Sequence, residues 1–423
     1  MTEREDKTER IGSPALGRGV DRRHLRAGFI PLVDASVLIA AAEMGFAGAE
    51  GLTLDLVRDV SWANVRDRLA FRQFDIAHML SPMPVAAMLG LGSNPSPTIA
   101  PFSLGRGGNA ITLSLRLYER MQALTGLEDG AGALDCARAL NALLIEMRKR
   151  DETPPTLGMT YPFSSHNYEF RYWLAAGGID PDRDVRLVVV PPPLTPDALA
   201  SGAIDGFCVG APWNMIASER GIGRIVATKQ DIWPDAPEKV VGMRPQWAES
   251  NRETVQALLL ALDAAARWCD QPENRKTLAA LLATDRYIDA PEDIILRVLS
   301  GEFAVDAKGN TRVIENYFTF HARGANRPVP RQALWIYSQM IRWGQTTYSA
   351  AAAEAAAHAF RPDLYEAALG PAGADESEGE ATFMDGRTFD SADIAAYVEA
   401  FNVRAILPKA AASALQSSKD FEQ

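Results

Sequence analysis

The first residue whose type and position could do chemistry is Trp62, within the stretch DVSWANVRDRLAFRQFDIAHMLSPMP at Asp59–Pro84. Ser61 can cap a helix that begins here, and Val65 and Leu69 supply an apolar face at helical spacing. Trp62 would then lie in the first turn, where backbone N–H groups have no partner within the helix and the helix dipole is positive. A flat aromatic face beside free N–H donors can hold a small planar anion, although a tryptophan at a helix start can also simply fill the core.

Four further residues have the chemistry and the local setting to contact such an anion. His166 follows two serines at the start of a predicted helix, where the dipole favours a bound anion. Asn109 follows a run of glycines, which lets backbone N–H groups approach a ligand closely. Lys239 begins an apolar strand, and Gly210 in VGAPW would offer a backbone N–H. Each has an ordinary alternative, since most lysines are solvated surface groups and a histidine in this position can belong to a helix cap.

The motifs of common enzymes are missing from the sequence. There is no G-x-S-x-G, no H-E-x-x-H and no Walker loop, and the five histidines are scattered. Cys136, Cys208 and Cys269 lie far apart and show no metal-binding spacing. We therefore predict a protein that is not an enzyme, with no catalytic residues, no metal and no cofactor.

The elements that must position these residues follow a β-α-β-α-β order in the first eighty residues. The predicted elements are a strand at Leu25–Leu32, a helix at Val37–Met44, a strand at Gly51–Val57, the helix capped by Ser61 and a strand at Asp75–Met79. This order predicts a parallel sheet with right-handed crossovers, whose ligands bind outside the carboxyl ends of the strands. Asp34 and the segment His78–Met83 follow two of these strands, so they belong at that edge.

A weak internal repeat predicts a second, similar unit. Phe74-Asp75-Ile-Ala and Ile204-Asp205-Gly-Phe both place an aspartate between a helix and a buried strand. Two copies imply two α/β lobes with a ligand in the cleft between them. We expect Gly223–Thr228 and Glu238–Met243 to return to the first lobe.

Composition and charge exclude some classes of protein. The 423 residues carry 54 acidic and 43 basic side chains, a net charge of −11, which argues against direct nucleic-acid binding through a broad basic surface. No run of about 18 apolar residues predicts a transmembrane helix, so no membrane contact is expected. Residues 1–26 are polar and lack the apolar stretch of about 7–15 residues that an export signal needs, so we predict a cytoplasmic location.

Several motifs together carry a resemblance to a known family. They occur in order between Leu25 and Phe401 and read SWANVRD, DIAHMLSPMP, GNAITLS, HNYEFRYWLAAGGIDPDRDV, VGAPWN, PEKVVG and FRPDLY. In these motifs the chain resembles the nitrate- and bicarbonate-binding proteins of the NrtA/CmpA family. The resemblance implies an α/β protein with the two-lobed, type II periplasmic-binding-protein-like fold, each lobe a mostly parallel sheet flanked by helices, with extra C-terminal helices.

The same resemblance implies a division of the chain. It places a flexible N-terminus at residues 1–24, a first lobe at 25–109 plus 211–408 with the C-terminal helical extension, a second lobe at 110–210, and a polar tail at 409–423. The acidic segment GPAGADESEGE at Gly370–Glu380 is predicted to be a mobile loop.

The resemblance also assigns the ligand-binding residues. The family's ligand tryptophan, histidine and lysine fall on Trp62, His166 and Lys239, and the family often carries glutamine where this chain has Asn109. Relatives often have glutamate where this chain has Ala211, and in the bicarbonate-binding branch carboxylates help hold calcium. The resemblance therefore implies a metal-free site for nitrate or nitrite, for which we expect no carboxylate nearby. Lys239→Ala and Trp62→Ala are each expected to weaken anion binding while leaving the fold intact.

For function, the resemblance is to the unexported NasS-type branch of the family. It implies a cytoplasmic nitrate/nitrite sensor that controls an ANTAR-type, RNA-binding antiterminator (NasT-like) of nitrate assimilation genes. Anion binding would shift the population toward closed lobes and release a partner that prefers the open state. The alternative is the substrate-binding component of an ABC transporter for nitrate or bicarbonate, and a third hypothesis is an enzyme on the same fold.

Overall fold

The computed structural model describes residues 23–234, 236–371 and 382–405. Short apolar runs form the strands, and most of those in the two main sheets are buried along their length. In chain order the strands are β1 (Arg23–Phe29), β2 (Leu52–Arg58), β3 (Ile76–Leu80), β4 (Ile99–Ser103), β5 (Arg106–Gly107), β6 (Asn109–Ser114), β7 (Thr156–Met159), β8 (Arg186–Val189), β9 (Gly206–Gly210), β10 (Gly223–Thr228), β11 (Lys239–Met243), β12 (Glu302–Ala304), β13 (Thr311–Val313) and β14 (Phe318–Thr319).

The helices cover the faces of the sheets and form the C-terminal part of the described chain. They are α1 (Ser36–Glu43), α2 (Phe46–Ala49), α3 (Trp62–Ala70), α4 (Pro82–Met88), α5 (Leu115–Thr125), α6 (Ala133–Lys149), α7 (Ser165–Ala176), α8 (Thr195–Ala200), α9 (Trp213–Glu219), α10 (Lys229–Ile232), α11 (Pro245–Ser250), α12 (Arg252–Asp270), α13 (Arg275–Ala283), α14 (Glu292–Ser300), α15 (Pro330–Arg342), α16 (Ala350–Ala357), α17 (Pro362–Leu369) and α18 (Ile394–Glu399). Among the described residues, every helix is too short or too polar to span a lipid bilayer.

Two five-stranded sheets confirm the two-lobed α/β fold. The first has the order β2-β1-β3-β11-β4 and the second the order β10-β6-β9-β7-β8. In each sheet four strands run in one direction and one runs against them, namely β11 in the first and β6 in the second. The sheets are therefore mostly parallel, as the resemblance implies.

The two reversed strands are those that the chain enters from the other lobe. The chain leaves β4 in the first sheet and starts β6 in the second, and it leaves β10 in the second sheet and starts β11 in the first. A strand that starts at the edge where its neighbours end must run in the opposite direction. The carboxyl ends of β1, β3, β9 and β10 and the amino ends of β6 and β11 therefore meet at one edge, which we call the cleft edge.

One strand lies in a different lobe from the one that the sequence predicts. Gly223–Thr228 (β10) pairs antiparallel with β6 in the second sheet, not with the first. The strand pattern is right, but its partner is set by the packing of β10 beside β6, which local sequence does not encode. The second sheet therefore extends past residue 210, where we expected the second lobe to end, and the return to the first sheet comes at β11.

The structure describes the predicted start of the first lobe, but not the bulk of the predicted terminal segments. β1 begins at Arg23, so the strand starts slightly before the predicted residue 25. Residues 1–22, the tail at 409–423 and most of the loop predicted at 370–380 lie outside the described residues.

The C-terminal helices pack mainly on the first lobe and also reach the second. α12 packs against α1, α2 and α17, whereas α15 contacts α4 of the first lobe and α7 of the second. Tyr168 on α7 donates a hydrogen bond to Gln345 Oε1 at 2.7 Å, and Tyr172 donates one to Asp385 at 2.8 Å. Helix α7 is thus connected to the C-terminal region by hydrogen bonds from two of its tyrosines.

Candidate functional site

All five residues predicted to bind a ligand lie at the cleft edge, and all five are buried. Trp62 begins α3, Asn109 begins β6, Gly210 ends β9 and Lys239 begins β11, while His166 is the second residue of α7. The strand directions explain this convergence, because each residue lies at the end of an element that terminates at the same edge.

Lys239 is a buried cation beside Trp62. Its Nζ lies 2.6 Å from Asp34 Oδ2 and 2.6 Å from Glu238 Oε1. The same ammonium group lies 5.6 Å from the centre of the Trp62 ring, within the range of a cation–π contact. With both partners buried, the ammonium group is desolvated and held in a fixed position.

A second buried lysine holds the other side of the cluster. Lys229, which begins α10, pairs with Glu238 and lies 2.5 Å from Glu169 Oε1. The side-chain amide of Asn109 donates to both carboxylates, at 3.0 Å to Glu169 and 2.7 Å to Glu238. Two carboxylates thus share one ammonium and one amide, which links strands β6 and β11 with helices α7 and α10.

The imidazole of His166 is neutral at physiological pH. Burial lowers the pKa of His166 to about 3, against the opposing effect of Glu238. Its Nδ1 is 3.2 Å from Thr160 Oγ1, and its Nε2 is 3.6 Å from Glu238 Oε1. A carboxylate beside Nε2 favours the tautomer that carries the proton there, so Nε2–H can act as a donor. Ser164 caps α7 by accepting a hydrogen bond from Asn167 N at 3.0 Å, as the sequence predicts.

His78 fixes the position of Asp34. Its Nδ1 accepts from Ile30 N at 3.4 Å, and its Nε2 lies 3.0 Å from Asp34 Oδ1. The His78 ring also packs against Trp62, with 5.4 Å between ring centres. Burial would raise the pKa of Asp34, but Lys239 and His78 together hold it below its usual value, so this carboxylate is ionised.

Gly210 leaves room for Asp34 to approach the strand. A Cβ atom at residue 210 would lie 3.1 Å from Asp34 Oδ2 and 3.5 Å from Asn109 Oδ1. Any side chain there would push the carboxylate that pairs with Lys239. The glycines before Asn109 also have a structural reason: a Cβ atom on Gly107 would lie 1.9 Å from the carbonyl oxygen of Tyr317.

Among the described residues, the buried donors at the site that have no hydrogen-bond partner include Trp62 Nε1 and His166 Nε2. An unpaired buried donor costs free energy, about 1–3 kcal/mol, so such groups are uncommon outside binding sites. At the start of α3, Asp59 Oδ1 accepts a hydrogen bond from Val60 N at 2.8 Å, whereas the Ser61 side chain makes no capping bond. Ser61 therefore occupies the N-cap position of this helix, as the sequence predicts, but its side chain does not make a capping hydrogen bond.

The structure also corrects the expectation of a site without carboxylates. Asp34, Glu169 and Glu238 all lie in it, and Glu238 pairs with Lys239, the next residue in the chain. The alternation of side chains holds within a strand, but Glu238 precedes the first residue of β11. We call the whole set the cleft cluster, which consists of Asp34, Trp62, His78, Asn109, His166, Glu169, Gly210, Lys229, Glu238 and Lys239.

Sequence reasoning missed Glu169 and Lys229 and gave no role to Asp34. Glu169 is three residues after His166 and so lies on the same face of α7, which is a usable signal. Lys229 follows the end of β10, a strand that the sequence predicts in the first lobe and that lies in the second sheet. Asp34 was expected at this edge, and only its pairing with Lys239 and His78 was unknown.

The fold and this buried polar cleft define the class of two-lobed solute-binding proteins. A family model described as the NMT1-like family matches residues 18–283, more than half of the chain. The chain therefore belongs to the NMT1-like family.

Named relatives agree with this assignment. The chain is 31% identical to the nitrate/nitrite binding protein NrtA of a Nostoc species, over 93% of this chain and 89% of that protein. The crystal structure of the periplasmic nitrate-binding protein NrtA from Synechocystis superimposes with a TM-score of 0.82 at 29% identity, covering 90% of this chain and 99% of that one.

Some relatives are longer than this chain. It is 34% identical to the nitrate import ATP-binding protein NrtC of Synechocystis, over 92% of this chain but only 56% of that protein. It is 32% identical to the bicarbonate transport ATP-binding protein CmpC of Synechococcus elongatus, again over 56% of that protein. The chain thus spans little more than half the length of these relatives.

Proposed function

We propose that this protein binds nitrate or nitrite at the cleft cluster. The observation that carries the proposal is the convergence of Trp62, His166 and Lys239, one flat ring, one neutral donor and one cation, at a single buried edge between two lobes. Nitrate and nitrite are small, planar and weakly hydrated, so a ring face with two N–H donors suits them. The relatives named as nitrate/nitrite binding proteins support this choice of ligand.

The charge of the cleft cluster sets a condition on binding. Two lysines face three carboxylates, so the cluster has a charge of −1 when all five are ionised and both histidines are neutral. A bound monovalent anion would make the net charge of the buried site −2, which is unfavourable. Burial, with the neighbouring Glu238, raises the pKa of Glu169, so Glu169 is the group that takes up a proton when the anion enters.

Calorimetric titration with nitrate, nitrite and bicarbonate, the last with and without calcium, tests the proposal. We expect binding of nitrate or nitrite, none of bicarbonate, and an uptake of up to about one proton that makes the heat depend on the buffer. Because a proton enters with the anion, affinity should fall as pH rises from 6 to 8, by at most about tenfold per pH unit. Calcium-dependent bicarbonate binding, or silence with all ligands, would contradict the proposal.

Two roles would use the same site. The named relatives favour a role in import, since they include nitrate/nitrite binding proteins and a nitrate import ATP-binding protein. The chain would then hand its anion to membrane components of an ABC transporter and act without catalysing a reaction. The predicted regulatory role, a cytoplasmic sensor acting on an ANTAR-type antiterminator and not on nucleic acid directly, has weaker support because it rests on the motif resemblance alone.

A genetic experiment separates the two roles. In cells lacking the full-length protein, the nitrate transport genes are expressed from an independent, constitutive promoter, and nitrate uptake is measured. A role in import predicts that uptake stays lost, whereas a regulatory role predicts that it returns. Fractionation of cells with the full-length protein tests the predicted cytoplasmic location at the same time.

A further inference from the structure

A second pocket lies at the end of α7 remote from His166. It has a volume of about 300 Å³ and is formed where Arg342, the last residue of α15, meets the segment 385–403. Residues of α7 and of this segment line it, among them Ala175, Ala176, Asp385, Arg387 and Phe401. Ten residues of helix, about 15 Å, separate His166 from Ala176, so this outer pocket is distinct from the cleft cluster.

Arg342 is a buried cation in this pocket without an acidic partner among the described residues. Its side chain is 2% exposed, and its Nε donates to the carbonyl oxygen of Val403 at 3.2 Å. The guanidinium lies over the rings of Phe401 and Trp343, at 3.6 and 4.6 Å from their centres. Its Nη1 has no hydrogen-bond partner in the part of the chain that the structure describes. Burial lowers the pKa of Arg342 to about 10, which leaves it charged at pH 7.

The other charges of the outer pocket do not neutralise Arg342. Asp385 accepts a hydrogen bond from the Tyr172 hydroxyl at 2.8 Å and lies 3.2 Å from Arg387 Nε. Among the lining residues that the structure describes, two arginines and one aspartate give a charge of +1, whereas the cleft cluster has −1. Rings next to a guanidinium stabilise it, but they do not satisfy its N–H donors.

In a larger cavity of the same protein, the arginines are paired with carboxylates. Its volume is 490 Å³, and Arg224 and Arg312 line it. There Arg224 pairs with Asp306, and Arg312 pairs with Asp231. Because a carboxylate balances the charge of each arginine, this larger cavity is less suited to bind an anion.

We propose that the outer pocket is a second anion site, which binds the carboxylate or phosphate group of a small molecule through Arg342 and Arg387. Nη1 of Arg342 is unpaired but buried, so the ligand receives its hydrogen bond when the side chain shifts toward the pocket. Arg387 is partly exposed and lies at the solvent side of the pocket. The walls formed by Ala175, Ala176 and Phe401 suit a ligand with an apolar part. The pocket volume is at the small end of the range for ligand sites.

An anion in this pocket would also strengthen the contact between α7 and the C-terminal segment. α7 carries His166 and Glu169 at its other end. Occupancy of the outer pocket is therefore expected to raise the affinity of the cleft cluster, since α7 would be held in the arrangement described here.

The test uses acetate and inorganic phosphate as probes, with the full chain and with chloride at matched ionic strength. Wild-type protein should bind at least one probe by calorimetry and show a rise in its thermal midpoint with probe concentration. Arg387→Gln should weaken binding about tenfold, because it removes a charged donor. Arg148→Gln is the matched control, since Arg148 is 65% exposed, pairs with Asp184 and does not line the pocket.

Arg342→Lys provides a second variant that keeps the charge but loses the planar donor group. A folded Arg342→Lys protein should bind the probes more weakly than wild type. Equal probe binding by wild type, Arg387→Gln and Arg148→Gln would overturn the proposal, and so would the absence of binding of either probe at tens of millimolar. Nitrate titration is measured separately, so a failure here is distinguishable from a failure of the cleft site.

Discussion

Replacing Lys239 with methionine is expected to reduce nitrate binding by about 100-fold or more. Lys239 Nζ is the cation beside the Trp62 ring, and its loss leaves the cleft cluster with a charge of −2 before any anion enters. A charged hydrogen bond to a buried ligand contributes about 1.5–3 kcal/mol, and the added repulsion acts in the same direction. Calorimetric titration with nitrate measures the loss.

The same substitution should also lower the free energy of unfolding by about 3–5 kcal/mol. It leaves Asp34 and Glu238 buried without the ammonium group that lies 2.6 Å from each. The sequence-based expectation is only that Lys239→Ala would leave the fold intact. The loss of stability comes from the two buried carboxylate partners of Lys239, which the sequence does not show. Urea unfolding of the variant measures this effect.

A double variant separates the loss of binding from the loss of stability. Lys239→Met with Asp34→Asn restores the charge balance of the cleft cluster, so it should regain much of the stability without regaining nitrate binding. Lys149→Met is the matched control, since Lys149 is 69% exposed and lies 3.5 Å from Glu146 on a surface helix. Normal nitrate affinity in Lys239→Met would show that the anion binds elsewhere.

Replacing Lys229 with methionine is expected to lower the free energy of unfolding by about 3–5 kcal/mol at pH 7. Glu169 and Glu238 share this ammonium group, and without it two buried carboxylates face each other with the Asn109 amide between them. Burial lowers the pKa of a lysine, but the two carboxylates hold the pKa of Lys229 above its usual value. Urea unfolding at several pH values is the measurement.

The loss of stability in Lys229→Met is expected to depend on pH. Burial raises the pKa of Glu169, and removing Lys229 raises it further, so the folded variant takes up a proton at a higher pH than the unfolded chain. Stability that comes from a raised carboxyl pKa is gained as pH falls, so the deficit of Lys229→Met should shrink between pH 7 and pH 5. The double variant with Glu169→Gln should recover most of the loss at pH 7. A deficit that is independent of pH, and that Glu169→Gln does not relieve, would contradict the shared ion pair.

The sequence by itself determined the two α/β lobes and the positions of most elements. The β-α-β order of the first eighty residues, the apolar strands and the serine cap of α7 are local patterns, and local patterns are sufficient for them. It also placed Trp62, Asn109, His166, Gly210 and Lys239 at strand ends or helix starts. Elements that end at a common edge bring their terminal residues together, so these five converge even though they lie far apart in the chain.

Only the tertiary structure decided which buried charges pair. Lys229 meets Glu169 and Glu238 because β10 joins the second sheet while β11 returns to the first, and the direction of a returning strand is not written in its own residues. The pKa values of His166 and Glu169 likewise depend on burial and on neighbours distant in sequence. Arg342 reads as an ordinary residue at the end of a helix, and the Phe401 ring reaches it only because the segment 385–403 folds against α7 and α15. Side-chain type is local, whereas desolvation and charge pairing depend on the whole fold.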